Sequence, residues 1–350
     1  MKVVSPFVMS LNRTDYWYWC RYFIDVYPEC PYGCSYCNTA CRRSARGLSY
    51  VRGLPKHGTT IGLGLVSDLY HPDQEHNRAA RSVLEILLSR QHPLTIQTKS
   101  THIRHDLDIL KQFAAASSLR VTFTLPTRDA GISREIEGRA PSPDERLETL
   151  GMLTDAGIPA GIAISPIIPA LTDGRQDLSR LVREAKKRGA RWVLFSGFIP
   201  VSSLLEKPGM QEVKAICSDD ETMNRRNREI KCFMIDLLNQ EDMPIRIPRP
   251  CPGPPDQRYH RRVVSEQLFN ISYYHELLEN QVDAARYKRA AHRINDLESS
   301  IKSIVFRKKL GYIKGINPEI EKVIEEIIMQ GSCSLSVSLK ERLSIPKRHA

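Results

Sequence analysis

No run of eighteen apolar residues occurs anywhere in the 350-residue chain, so nothing in it reads as a membrane span. The opening stretch, Met1–Ser10, lacks the charged start and long apolar run of a secretory signal. Nine cysteines, an odd number, do not make a paired disulfide framework. Together these absences lead to the expectation of a cytoplasmic protein in a reducing compartment, with no membrane partner. Acidic residues are in deficit, 40 Asp and Glu against 51 Lys and Arg, for a net charge of +11. That balance suits a polyanionic partner, or simply a basic surface. At 41% hydrophobic, the chain is long enough for one large core and a smaller module; its oligomeric state is not legible.

What the chain does have is a dense thiol loop, Cys30-Pro31-Tyr32-Gly33-Cys34-Ser35-Tyr36-Cys37, with Cys41 four residues further on. Thiolates are soft ligands, and spacings of four and three residues let Cys30, Cys34 and Cys37 wrap one side of a metal cluster. Gly33 frees the backbone where the loop must fold tightly. An iron–sulfur cluster is the first reading; a structural zinc with Cys41 as fourth ligand, a disulfide or coincidence are the others. One three-cysteine loop is not the two-knuckle layout usual for zinc.

Strand and helix patterns alternate after this loop. Strands are predicted at 21–26, 60–66, 94–98, 119–125, 160–165 and 192–196, with helices over 78–90, 106–116, 142–156, 178–188 and 220–239. Ser142-Pro143-Asp144-Glu145 reads as a capping box with proline in the first turn. Six parallel strands with outer helices give an α/β fold, a partial (β/α)6 TIM-type barrel. Barrel chemistry sits at the C-terminal strand ends, where the thiol loop falls. The aromatic start Tyr16-Trp17-Tyr18-Trp19 is expected to pack under the barrel rather than stack on bases.

Cys-x3-Cys-x2-Cys with an aromatic residue before the last cysteine resembles the signature of the radical SAM enzymes. The resemblance implies a 4Fe–4S cluster held by Cys30, Cys34 and Cys37, with S-adenosylmethionine on the fourth iron and Tyr36 in the aromatic slot. It also implies an electron donor such as a flavodoxin or ferredoxin. Gly64–Pro72 (GLVSDLYHP), Thr98-Lys99-Ser100, Thr122–Thr127 (TFTLPT), Glu137–Arg146 (EGRAPSPDER) and Ala163–Pro169 (AISPIIP) resemble the spore-photoproduct-lyase-like branch of that family over roughly residues 20 to 200. By this resemblance Ser67, Asp68, Lys99 and Thr124 lie around S-adenosylmethionine. Lys99 can neutralise a carboxylate, and short hydroxyls can fix polar groups; the plain alternative is ordinary strand-end polarity. Lesion-repairing lyases carry a cysteine beside the serine–aspartate pair as hydrogen donor. Here Leu65-Val66 precede Ser67 with no thiol. Cys251, in the Pro248–Gly253 loop, is the first candidate to replace it, ahead of Cys41, Cys217 and Cys232; the plain alternative for Cys251 is an inert thiol.

The proline-rich stretch 246–256 marks a boundary, giving a barrel at 1–258 and a small all-α module at 265–350. From about Ser272 to Leu343 this module resembles the helix-hairpin-helix domain at the N-terminus of family X DNA polymerases. That resemblance places Lys314, Gly315 and Asn317 at a phosphate-binding hairpin, with Arg307, Lys308 and Lys309 beside it. Asn317 stands where the family has a second glycine, and is expected to tolerate a positive φ there. Glu319 puts a carboxylate in the phosphate's path. From Ser265 onward there are 14 Lys and Arg against 11 Asp and Glu, a net +3. The expectation is a radical SAM enzyme of lyase-like type acting on nucleic acid, DNA first, by lesion repair or base modification. The alternatives are the same chemistry on a protein or small molecule with the tail as a docking module, and a non-enzymatic zinc-bearing binding protein.

Overall fold

The computed structural model describes residues 7–10, 17–20, 22–27, 30–37, 51, 54, 60–73, 77–116, 118–248 and 259–344. The chain divides into two compact units, residues 1–248 and 249–350. Among the described residues, no helix is long and apolar enough to cross a membrane.

The first unit is built on one seven-stranded sheet whose spatial order follows the chain: β1 (Phe7–Ser10), β2 (Tyr22–Asp25), β3 (Ile61–Leu63), β4 (Leu94–Thr98), β5 (Leu119–Thr124), β6 (Ala160–Ile167) and β7 (Val193–Gly197). β1 runs antiparallel to β2, and β2 to β7 are all parallel. Parallel neighbours need crossovers, and these carry α1 (Arg78–Ser89), α2 (Leu107–Ala116), α3 (Ala130–Glu137), α4 (Pro143–Asp155) and α5 (Arg175–Lys187). When every crossover has the same hand and steps to the next strand, all helices fall on one face and the sheet curls around the other. The result is the open, partial barrel of six parallel strands that the alternation predicts.

The register aligns Ile24 with Leu63, Leu63 with Ile96, and Ile96 with Val121. All four side chains are fully buried in the main core, each contributing about 1.5–3 kcal/mol by the usual transfer scale. Ala80, Val83, Leu84 and Leu87 of α1 form its buried face, and α8 (Asp220–Gln240) adds Met234, Leu237 and Leu238 to the same core. A second cluster, with Ile136, Ile168, Phe198 and Leu204, gathers α3 with α6 (Ser202–Leu205) and α7 (Gln211–Cys217).

Several boundaries differ from the sequence expectation for local reasons. β3 stops at Leu63 rather than continuing to Val66. Gly64 takes φ +75, and a Cβ there would lie 2.0 Å from the carbonyl oxygen of Gln97. β6 runs on to Ile167 because Ile167 pairs with Gly197 after an irregularity in the ladder. A 3-10 turn, Thr101–Asp106, precedes α2. The capping box forms, with Ser142 and Glu145 exchanging side-chain and backbone bonds. Trp19 is buried, its Nε1 donating to the Ile247 carbonyl at 2.8 Å.

The second unit is helical: α9 (Tyr259–Leu277), α10 (Gln281–Asn295), α11 (Ile301–Phe306), α12 (Pro318–Gln330) and α13 (Ser334–Ser344). Leu268, Tyr287, Ala291, Ile294, Ile320 and Ile324 fill its interior. α12 has the ends its sequence predicts: the Asn317 side chain accepts from Ile320 N at 2.9 Å, Pro318 opens the helix, and Gly331 closes it at φ +79. Asn317 itself has φ −102, so asparagine serves there as a cap and not for a left-handed turn; Gly315, at φ +92, makes that turn.

Candidate functional site

The loop 30–37 leaves the C-terminal end of β2 and is held by α3 and the turn after it. Ser35 N donates to the Ile136 carbonyl at 2.8 Å, and Arg139 N donates to the Tyr32 carbonyl at 3.1 Å. Ser203 Oγ donates to the Ser35 carbonyl at 2.7 Å. Two glycines permit this docking. Gly33 turns at φ +64, and Gly138, at φ +60, sits so close that a Cβ would come within 2.4 Å of the Tyr32 oxygen. These contacts tie the loop to α3, to the turn after it and to α6.

Cys30, Cys34 and Cys37 are free thiols and all three line one cavity of about 640 Å³. Burial pushes the Cys30 thiol up, and pushes that of Cys34 up to about 11 against the pull of Lys99. Such thiols hold their protons until a metal displaces them. Among the described residues, no three His, Cys, Asp or Glu side chains are grouped as ligands of a single metal ion. Cys217 and Cys232 do not line the cavity, and Cys41 and Cys251 lie outside the described residues.

Behind the loop is a buried charge network that the sequence reading named only as part of a motif. Glu137, 1% exposed, takes the Tyr36 hydroxyl on Oε1 at 2.6 Å. Its Oε2 accepts from Ser133 Oγ at 3.0 Å and from Arg146 Nη2. Arg146 is fully buried, donating also to the carbonyls of Pro141 (2.9 Å) and Thr124 (2.7 Å) and to Ser133 Oγ (3.0 Å). Lys99 Nζ stands 3.5 Å from Glu137 Oε1 and 5.5 Å from the centre of the Tyr36 ring. Burial alone would raise the Glu137 carboxyl, but Arg146 and Lys99 outweigh it and hold the group below its ordinary value. Burial, followed by the Glu137 charge, lifts the Tyr36 phenol well above its usual range, so it remains a donor.

The other predicted residues divide. Asp68, Lys99, Thr124 and Tyr36 line the cavity. The Asp68 carboxylate is fully engaged, accepting from Thr98 Oγ1 (2.6 Å), Lys99 N (2.7 Å) and Tyr70 N (3.0 Å). It pins the end of β4, and burial raises its pKa. Ser67 is turned inward and does not line the cavity: its amide and hydroxyl both face the buried Asp25 carboxylate, at 3.1 and 3.4 Å. A buried carboxylate needs donors, and Ser67 is one of them. Arg307, Lys308, Lys309, Lys314 and Gly315 are exposed on the second unit, while Asn317 is bound up in its cap.

Gln97, which the sequence reading did not single out, also lines the cavity. Its Nε2 donates to Thr124 Oγ1 at 3.1 Å, and its Oε1 is buried with no partner. The hydroxyl of Thr124 can donate or accept, so either orientation of the amide leaves one polar atom unsatisfied. An orphaned polar atom on a cavity wall is a place for a ligand group. Three thiols, a cation, a fixed carboxylate and a free amide atom thus surround one cavity. The donor set fits an iron–sulfur cluster and a zwitterionic, carboxylate-bearing ligand beside it.

No family model matches the chain. It is 33% identical over 166 residues to an uncharacterized protein of Methanocaldococcus jannaschii, covering 44% of this chain and 62% of that one. An uncharacterized protein of Mycobacterium tuberculosis is 25% identical over 204 residues, 51% of this chain and 58% of the relative. The chain thus spans about 58–62% of the length of these relatives. Among solved structures it is similar to Streptococcus suis SuiB bound to S-adenosylmethionine (TM-score 0.45, 16% identity, 65% of this chain and 50% of that one). It is also similar to a spore photoproduct lyase variant with bound AdoMet and dinucleoside spore photoproduct (TM-score 0.43, 15% identity, 60% and 74%).

Proposed function

We propose that this protein is a radical S-adenosylmethionine enzyme. The observation that carries the proposal is the placement of Cys30, Cys34 and Cys37 on one cavity wall at the C-terminal ends of parallel strands, with Lys99 and the unsatisfied Gln97 amide beside them. In this reading the three thiolates hold three irons of a 4Fe–4S cluster and leave one position open. When bound, the cluster and S-adenosylmethionine supply a 5′-deoxyadenosyl radical that takes a hydrogen atom from substrate. Lys99 neutralises the methionyl carboxylate, and the free Gln97 atom fixes a polar group of the same ligand. Asp68, on the cavity wall, holds the end of β4 and stays a candidate contact of the same ligand, while Glu137 holds Tyr36 and the thiol loop. A small one-electron carrier of the flavodoxin or ferredoxin class feeds the cluster.

The substrate in this proposal is nucleic acid, DNA first, modified or repaired at a base. The support is the charge of +11 and the exposed cations Arg307, Lys308, Lys309 and Lys314 of the second unit, which have no carboxylate partner among the described residues. Cys251 stays the candidate hydrogen donor on sequence grounds.

Anaerobic reconstitution with iron and sulfide, then dithionite and S-adenosylmethionine, tests the reading. A broad visible absorbance and release of 5′-deoxyadenosine are expected, with yield rising when damaged oligonucleotides are present. Cys34→Ala should abolish both. Tightly bound zinc in place of iron, or adenosyl cleavage that survives Cys34→Ala, would reject it.

A further inference from the structure

Between Glu298 and Glu319 there is no acidic residue, while Lys302, Arg307, Lys308, Lys309 and Lys314 supply five cations. In the turn between α11 and α12, Arg307, Lys308, Lys309 and Lys314 are exposed, and none has an ion-pair partner among the described residues. Two exposed aromatic rings belong to the same stretch, Phe306 at the end of α11 at 63% and Tyr312 in the turn at 87% exposure. The turn is rigid: Lys309 N donates to the Ile304 carbonyl at 3.0 Å and Ile313 N to that of Leu310 at 2.9 Å, while Leu310 is buried. Lys308 occupies the left-handed region at φ +53, where glycine or asparagine would be easier, so a cation stands where local backbone preference disfavours it.

We infer that this turn is a binding surface for unpaired polynucleotide, its cations taking phosphates and Phe306 and Tyr312 stacking on bases. The inference rests on the nucleic-acid reading above and narrows it to single strands. A duplex hides its base faces, so it would leave both rings without partners, whereas a single strand offers a base face to each. A lipid surface is the poorer match, because interfacial binding scales with buried apolar area and Phe306 and Tyr312 are the two exposed large hydrophobics of residues 299–318.

Fluorescence anisotropy on the full chain tests this, with labelled oligo-dT and oligo-rU of about 16 nucleotides, an abasic strand and a duplex of equal length, and anionic phosphatidylserine vesicles as competitor. Tyr312→Ala should weaken binding of both base-bearing strands at least about fivefold, the lower end for loss of one stacked base. It should leave the abasic strand unchanged, and Tyr312→Phe should restore affinity. Lys308→Ala and Lys309→Ala should each flatten the log-affinity against log-salt slope by about 0.7. Duplex bound as tightly as single strands, an equal Tyr312→Ala loss on the abasic strand, or binding to vesicles alone would overturn the inference. A chain that releases 5′-deoxyadenosine but ignores single strands sinks this inference and leaves the radical chemistry standing. One that binds strands through Tyr312 but cleaves no S-adenosylmethionine does the reverse.

Discussion

Removing Arg146 should be among the most destabilising single changes available in the first unit. Its guanidinium is fully buried against Glu137, which is itself 1% exposed. Breaking a buried pair by deleting one partner typically costs about 3–5 kcal/mol, because a desolvated charge is left alone. Arg146→Met also strips the carbonyls of Pro141 and Thr124 of a donor. For a unit of this size each kcal/mol lowers Tm by about 2–4 °C, so a fall of about 6–20 °C is expected. Glu137→Gln leaves the guanidinium unpaired and should cost a similar amount. The double variant removes both charges, so its loss should fall short of the two single losses combined by at least about 1 kcal/mol. Thermal unfolding followed by circular dichroism reads all three, and iron bound per chain after reconstitution reports whether the thiol loop keeps its shape. Single losses below about 1 kcal/mol, or losses that add to within about 0.5 kcal/mol, would show that the pair is not buried as described.

Glu137 also sets a pH dependence. Its folded pKa lies below the unfolded value, so its stabilisation is complete above about pH 4.3 and is lost as pH falls through the folded value. Tm against pH should therefore drop on the acid side, and Glu137→Gln should make that limb shallower; an unchanged acid limb would refute the assignment. Gly138→Ala and Gly157→Ala both force a residue to positive φ, at +60 and +79, but only the first drives a Cβ into the thiol loop. Gly157→Ala should cost about 1 kcal/mol, the ordinary left-handed penalty, and leave iron loading unchanged, while Gly138→Ala should cost more and lower bound iron. Equal effects on iron would deny that Gly138 positions the loop. Gln97→Leu removes a buried unsatisfied atom but also takes the donor from the buried Thr124 hydroxyl. These two effects have opposite sign, so Tm should move by no more than the worth of one hydrogen bond, about 1 kcal/mol, while S-adenosylmethionine affinity measured by calorimetry on the reconstituted chain should fall at least about fivefold, the worth of about 1 kcal/mol. Unchanged affinity would remove Gln97 from the site.

Local signals are the legible ones in this chain. The Ser142–Glu145 box, the Asn317-Pro318 start and the Gly331 stop of α12 are each decided within a few residues. Apolar stretches of parallel strands are nearly continuous, so the six of them are legible even where their ends are not. The spacing of Cys30, Cys34 and Cys37 puts them on one short loop, and all three line one cavity. What escaped is what folding assembles from a distance. α3 is only eight residues long, and Asp129, whose carboxylate accepts from Ile132 N at 2.8 Å, was its one start signal. Glu137 and Arg146 are nine residues apart on two different helices, so no helical period links them. Ser67 and Asp68 are adjacent, and nothing in their order tells which faces the cavity. β1 carries four residues and is defined by its partner.

The network behind the thiols determines what Lys99 is able to do. Glu137 has two oxygens, and each already has a closer donor than Lys99: Tyr36 on Oε1, Arg146 and Ser133 on Oε2. The ammonium at 3.5 Å is left with a long contact, and an ion pair of that length is weak enough to be exchanged. Without Arg146, Glu137 would lose its strongest cation, and Lys99, 3.5 Å away, would be drawn to it. A lysine so committed could not turn toward the carboxylate of an incoming ligand. Burying the arginine pair brings little net stability, because desolvation offsets most of the attraction. Its consequence is instead a cation 14% exposed on a cavity wall, near enough to Cys30 and Cys34 to act on their thiols and only loosely shared with a carboxylate that Arg146 already holds.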